Sequence, residues 1–180
     1  MNKLIFIDTI NKIPPKYLHT PVQKLLEFHN MGVYHDVYQK PQITIGTCMD
    51  YRVVFRIPDK FAYIIRNGGS HLEHSDFHLA YSIAVGHIKA IAVIGHTDCG
   101  MLNLEDQKHK FIEGLSHSLH WTEQKTTGFF DNYYLENEIY DEVQFTLKQV
   151  ATLREKFPNF VIAPFVFDVK DGFLYLIDEE

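Results

Sequence analysis

Three short apolar, β-branched runs, at residues 42–47, 61–65 and 89–94, each give way to a polar or glycine-bearing loop, and a helical pattern fills the interval between the second and third. Few architectures accept that order. Nearly continuous apolar strands suit a parallel sheet covered on both faces, and alternation of strands with helices suits the α/β class. The helical interval is residues 75–86, where Phe77, Leu79, Ala80, Ile83 and Ala84 recur at helical spacing after the Asn67-Gly68-Gly69 turn. Upstream, Thr20 stands at an N-cap position and Pro21 at the first helical position, so Val22, Leu25 and Leu26 mark an amphipathic helix ending near Gly32.

The second half is less regular. Residues 101–131 mix polar, histidine and aromatic side chains and read as short helices, followed by one longer helix from about 132 to 157 that stops before Pro158. Residues 160–168 form a fourth strand, and Lys170-Asp171-Gly172 turns into a fifth at 173–177, an edge hairpin. The expected fold is therefore α/β, a mainly parallel central sheet flanked by helices with an antiparallel C-terminal edge strand. Residues 1–40 read as an N-terminal helical arm and residues 41–180 as the α/β domain that carries the site, within a single domain overall.

Charge narrows the partners. A formal net charge of -6, with no run of lysine or arginine, offers no electrostatic footprint for nucleic acid or an anionic membrane. The apolar stretch at the N-terminus is four residues long before Asp8, short for a signal-peptide core. A soluble, cytoplasmic protein is the expectation.

The two cysteines, Cys48 and Cys99, are each either a small buried hydrophobe or a metal ligand. Their positions favour the second reading. Cys48 ends one strand, while His96 and Cys99, three residues apart, occupy the loop that ends another. In parallel α/β sheets, ligands sit beyond the carboxyl ends of strands. Two thiolates and one imidazole form a zinc site that leaves a fourth position open to water. Asp50 and Arg52 follow at alternate positions after Cys48, so an extended chain puts all three on one side. A guanidinium beside a carboxylate orients it and keeps it ionised, although a solvated ion pair would look the same in sequence.

The segments C-M-D-Y-R at 48–52, R-N-G-G at 66–69 and H-T-D-C-G at 96–100 together resemble the signature motifs of the β-class carbonic anhydrases, in the same order. The resemblance runs from about residue 42 to the end, because residues 165–172 are similar to that family's terminal strand pair; Gly68 stands where the family more often has alanine. The resemblance implies one Zn2+ per chain on Cys48, His96 and Cys99. It also implies Asp50 beside the metal, either hydrogen-bonding its water or taking the fourth site, with Arg52 holding Asp50 off the metal. The activity implied is reversible hydration of carbon dioxide to bicarbonate and a proton, in a homodimer or higher homo-oligomer with the active site near the subunit boundary.

Other readings share these residues. A carbonyl sulfide or carbon disulfide hydrolase resembles the same family, and a structural zinc protein would use Asp50 as a permanent fourth ligand. Zinc deaminases fit poorly, for lack of their H-X-E and P-C-X-X-C signature. Asp98 is expected to cap a helix or to hydrogen-bond arginine or backbone. Gly68 and Gly69 are expected to serve backbone geometry, His71, His74 and His78 to lie on a solvated helix face, and the aromatic stretch at 129–134 to serve core or interface packing.

Overall fold

A computed structural model describes residues 3–33 and 37–179. The apolar runs become the strands β2 (Ile43–Cys48), β3 (Ala62–Asn67), β4 (Ala90–His96) and β5 (Val161–Phe167), which pair with one another in parallel. Strand β6 (Leu174–Ile177) returns antiparallel along β5, as the Lys170-Asp171-Gly172 turn predicts. Outside it lies β1 (Leu4–Phe6), antiparallel to β6, which gives the sheet order β1-β6-β5-β4-β2-β3. A mainly parallel α/β sheet with an antiparallel section at one side is thus the observed fold.

The sheet is covered on both faces, which explains its apolar strands. Helix α1 (Pro21–His29) starts as predicted, with Thr20 Oγ1 accepting from the Val22 N–H at 3.2 Å. Its Val22, Leu25, Leu26 and Phe28 are fully buried in one core with Ile43, Ile45, Ala92 and Phe165. The apolar side of α1 is consumed inside the chain. The opposite face carries α2 (Asp76–Ala84) and α5 (Glu142–Lys156), whose Leu79, Val150 and Leu153 pack on Ile91, Val93 and Ile162.

The helix expected over 132–157 is two helices. Helix α4 (Glu123–Asn137) stops and α5 begins anew, because the intervening backbone is taken by the loop after β4. The Ile139 N–H donates to the Met101 carbonyl at 3.0 Å and its own carbonyl accepts from the Asn103 N–H at 3.3 Å. Asp141 then caps α5, accepting from the Gln144 N–H at 2.8 Å. Helices α3 (Lys108–Leu119) and α4 pair as a hairpin through Phe111, Phe129 and Phe130. Among the described residues no helix is long and apolar enough to cross a membrane.

From β2 the chain passes to β3 on one side, and from β4 it passes to β5 on the other. The carboxyl ends of β2 and β4 therefore flank the point where the connections reverse, the usual crevice for a ligand in an open α/β sheet.

Candidate metal centre

Cys48 is the last residue of β2, His96 is the last of β4, and Cys99 follows in the next turn. Their burial is nearly complete, at 3%, 1% and 5% exposure. One ligand atom from each lies within 4.8 Å of the other two, and the two sulfurs are 4.0 Å apart. Sulfurs at about 2.3 Å from one tetrahedral zinc stand roughly 3.8 Å apart. The donor set has the right spacing for a single ion.

A second observation points the same way. His96 Nδ1 faces the Thr97 carbonyl at 3.0 Å, which places its proton there and leaves the Nε2 lone pair free. That Nε2 is buried and without a hydrogen-bond partner. An orphaned buried nitrogen costs about 1–3 kcal/mol unless something binds it, and here it faces two thiols. The thiols themselves divide unequally: a hydrogen bond from Cys99 draws Cys48 well below the usual thiol range, and the same contact with burial pushes Cys99 up. Thiolate is the form that binds metal.

Asp50 and Arg52 also converge here, though not by strand alternation. Strand β2 ends at Cys48, and the chain bends at once, with the Arg52 N–H donating to Asp50 Oδ1 at 2.9 Å and the Val53 N–H to the Asp50 carbonyl at 3.2 Å. A turn, rather than an extended face, brings the carboxylate and guanidinium together. Arg52 Nη2 and Nε then grip the carboxylate at 2.8 and 3.0 Å. These hydrogen bonds hold the Asp50 carboxyl down to about 2. Asp50 Oδ2 stands 4.0 Å from His96 Nε2, at the edge of the metal cluster and outside it.

Arg52 has a second partner. Its Nη1 donates to Asp98 Oδ2 at 2.7 Å and its Nη2 to the Asp98 carbonyl at 2.8 Å, so one side chain ties the turn after β2 to the loop between His96 and Cys99. Asp98 holds a left-handed backbone (φ 57°), a conformation that aspartate tolerates better than most residues. Of its expected roles, bonding to arginine is the observed one.

Arg66 is a positioning residue that the sequence reading quoted without a role. Its Nη1 donates to the Cys48 carbonyl at 2.9 Å and its Nη2 to the Val53 carbonyl at 2.9 Å, closing both ends of the 48–53 turn. An arginine two residues before the glycine pair was the available signal. Gly69 adopts φ 62°, as a turn glycine, and a methyl on Gly68 would meet Met101 Sδ at 3.2 Å. The thioether of Met101 thus occupies room that an alanine at position 68 would take. His71 is half-buried against Phe145, and His78 lies on α2, so the three histidines near residue 75 share no single helix face.

A family model described as carbonic anhydrase matches residues 43–172, which spans all of these groups. The chain belongs to the β-carbonic anhydrase family. Its fold matches that of a carbonic anhydrase from Glaciozyma antarctica, 24% identical, over 79% of this chain and 85% of that one, at a TM-score of 0.62. A carbonic anhydrase from Streptococcus mutans, 20% identical, aligns over 92% of this chain and 100% of its own at 0.60. The apo form of a carbon disulfide hydrolase, 24% identical, aligns over 80% and 82% at 0.56. Comparison with curated protein sequences gave no match. In this chain, Cys48, His96 and Cys99 form a cluster able to bind a metal ion.

Proposed function

We propose that this protein catalyses the reversible hydration of carbon dioxide to bicarbonate and a proton, with one Zn2+ held by Cys48, His96 and Cys99. The observation that carries the reading is the placement of Asp50. Its carboxylate lies 4.0 Å from His96 Nε2 while Arg52 holds it from the far side. That arrangement supports three protein ligands and an open fourth position, the catalytic pattern, over a closed four-ligand structural site.

Bound zinc supplies a Lewis acid that makes water a competent nucleophile near neutral pH. The protein's part is orientation and charge. Asp50, ionised throughout the physiological range, accepts a hydrogen bond from the attacking water and so fixes where its lone pair points. Arg52 keeps that acceptor charged and stops it from collapsing onto the metal. With zinc bound, two thiolates beside a neutral imidazole would offset the ion's charge and acidify a bound water less than three neutral histidines would, so activity should rise with pH into the alkaline range. The released proton passes to solvent or buffer.

A second reading rests on one cavity. Met49, Met101, Phe111, Phe129 and Phe130 line an apolar hollow of about 290 Å3 that also touches Gly68, and Met101 packs against Cys48 and Cys99. An apolar approach suits an uncharged linear molecule, and a fold neighbour is named as a carbon disulfide hydrolase. Carbonyl sulfide or carbon disulfide hydrolysis by the same residues is therefore the alternative. The same proposal includes a cytoplasmic setting, where thiolate ligands stay reduced, and assembly as at least a homodimer.

Stopped-flow hydration of carbon dioxide from pH 6.5 to 9, on protein of measured zinc content, tests the first reading, and parallel turnover of the two sulfur gases tests the second. Activity that tracks zinc and rises with pH supports hydration. Absence of turnover above buffer for all three gases would leave the structural zinc reading in its place.

A further inference from the structure

Thr97 follows the last residue of β4, and its two oxygens have exchanged the partners that a continuing sheet would give them. In a parallel ladder each bonded residue donates to one neighbour of its opposite number and accepts from the other. Carried one step beyond His96 and Phe167, the register of β4 with β5 sets Thr97 opposite Asp168, flanked by Phe167 and Val169. The first ladder bond is present, from the Thr97 N–H to the Phe167 carbonyl at 3.0 Å. The second is diverted. The Val169 N–H donates to Thr97 Oγ1 at 3.1 Å, and the Thr97 carbonyl, released from the ladder, faces His96 Nδ1 at 3.0 Å.

The hydroxyl is itself held. It donates to Asp168 Oδ1 at 3.4 Å, the same oxygen that accepts from the Lys170 N–H at 2.8 Å in the turn before β6, so its lone pairs are left for Val169. Beyond Thr97 the backbone of Asp98 enters the left-handed region, and the chain leaves the sheet to bring Cys99 to the cluster. The carbonyl that would have closed the ladder becomes the acceptor for a buried imidazole.

We infer that Thr97 is a positioning residue for the metal centre: its hydroxyl stands in for its own carbonyl in the ladder between β4 and β5, which frees that carbonyl to fix the tautomer and ring orientation of His96. Partners that orient a ligating histidine in this way are commonly worth ten- to a hundredfold in metal affinity. Valine has nearly the same shape as threonine but no oxygen to offer Val169. An unpaired buried N–H is costly, so in Thr97→Val that N–H would recapture the carbonyl of residue 97 and draw it off His96. Serine keeps the oxygen and with it the arrangement. The inference rests on the reading of Cys48, His96 and Cys99 as a zinc site, and its test reads metal affinity and ligand geometry rather than turnover.

Competition with a chromophoric chelator measures the zinc affinity of the wild type, Thr97→Val, Thr97→Ser and Thr126→Val, the last removing a buried hydroxyl that donates to the Thr122 and Glu123 carbonyls in α4. Thr97→Val is expected to bind zinc at least about tenfold more weakly, whereas Thr97→Ser and Thr126→Val stay close to the wild type. The visible bands of the Co2+-loaded protein, which report ligand geometry, should change in Thr97→Val alone. A 1H–15N spectrum of the zinc-loaded wild type, which needs no variant to fold, should show His96 protonated at Nδ1 and bound to metal through Nε2. Wild-type affinity and cobalt bands in folded Thr97→Val, or metal on His96 Nδ1, would overturn the inference alone. A wild type that binds neither metal would overturn the zinc reading with it.

Discussion

Arg52 and Asp98 lock two loops together across the metal centre, with Nη1 of the arginine 2.7 Å from Oδ2 of the aspartate. The same guanidinium grips Asp50, so the position of that carboxylate beside the Cys48-His96-Cys99 cluster depends on both loops. Asp98 stands between His96 and Cys99 in sequence, and its contact with Arg52 couples the orientation of Asp50 to the cluster residues at the end of β4.

Arg52 is the member of this set with no substitute. Arg52→Ala is expected to keep zinc and fold and to lose at least about a hundred-fold in kcat/KM, the usual scale for a misplaced proton acceptor. Arg52→Lys should recover little, because an ammonium cannot serve Asp50 and Asp98 in one planar fork. Asp98→Asn removes only an exposed charge and leaves the carbonyl contact, so less than about fivefold should be lost. Stopped-flow kinetics with zinc analysis of each variant checks the order; equal losses for Arg52→Ala and Asp98→Asn would refute it.

Metal removal should be visible in stability as well as activity. Without an ion, His96 Nε2 stays buried and unpaired beside two thiols. At a hundredfold excess over its Kd a ligand adds about 2.7 kcal/mol, which for a domain of this size is roughly 5–10 °C in Tm. Chelated protein should therefore melt at least about 5 °C lower, and one equivalent of zinc per chain should restore it. Calorimetry of apo and reloaded protein measures this, and an unchanged Tm would argue against a shared metal site.

The legible parts of the molecule were those written in local pattern. Strands β2 to β5 announce themselves as apolar β-branched runs, α1 through Thr20 and Pro21, and the cluster of Cys48, His96 and Cys99 through positions at or just beyond strand ends. What escaped depends on distant partners. Leu4–Phe6 is too short to declare a strand and becomes one only by pairing with β6. The break between α4 and α5 follows from Ile139 bonding to Met101 and Asn103, since nothing within residues 132–157 forbids a continuous helix. The Arg52–Asp98 contact spans 46 residues and exists because β2 and β4 are neighbours.

Strand β2 should tolerate no added bulk at its glycine. A Cβ on Gly46 would stand 2.5 Å from Cδ1 of Leu72, itself fully buried under α2 and α5. The leucine cannot swing away without opening the core, so Gly46→Ala is expected to cost about 1–3 kcal/mol through overpacking. Pairing it with Leu72→Ala should cost less than the sum of the two single changes. Urea titration of the three variants decides; strict additivity would show that the contact is not the cause.

His29 gives the fold an acid limit away from the metal. Its ring is fully buried, with Nδ1 accepting from the Arg56 N–H and Nε2 donating to the Gly172 carbonyl, both at 3.1 Å. Only the neutral ring satisfies both contacts, since a protonated Nδ1 would oppose the Arg56 N–H. Burial first, and then the charge of Arg56, lower its folded-state value from 6.5 to about 4. In the unfolded chain the ring protonates near 6.5, so between that pH and 4 the unfolded state binds the extra proton and stability falls as pH falls. The full effect is on the order of 3 kcal/mol, present above pH 6.5 and lost as pH drops through 4. His29→Gln should lower stability at neutral pH and flatten its slope between pH 6.5 and 4, measured by urea unfolding at several pH values on zinc-free protein so that ligand protonation does not contribute. A variant that keeps the wild-type slope would place the acid sensitivity on another group.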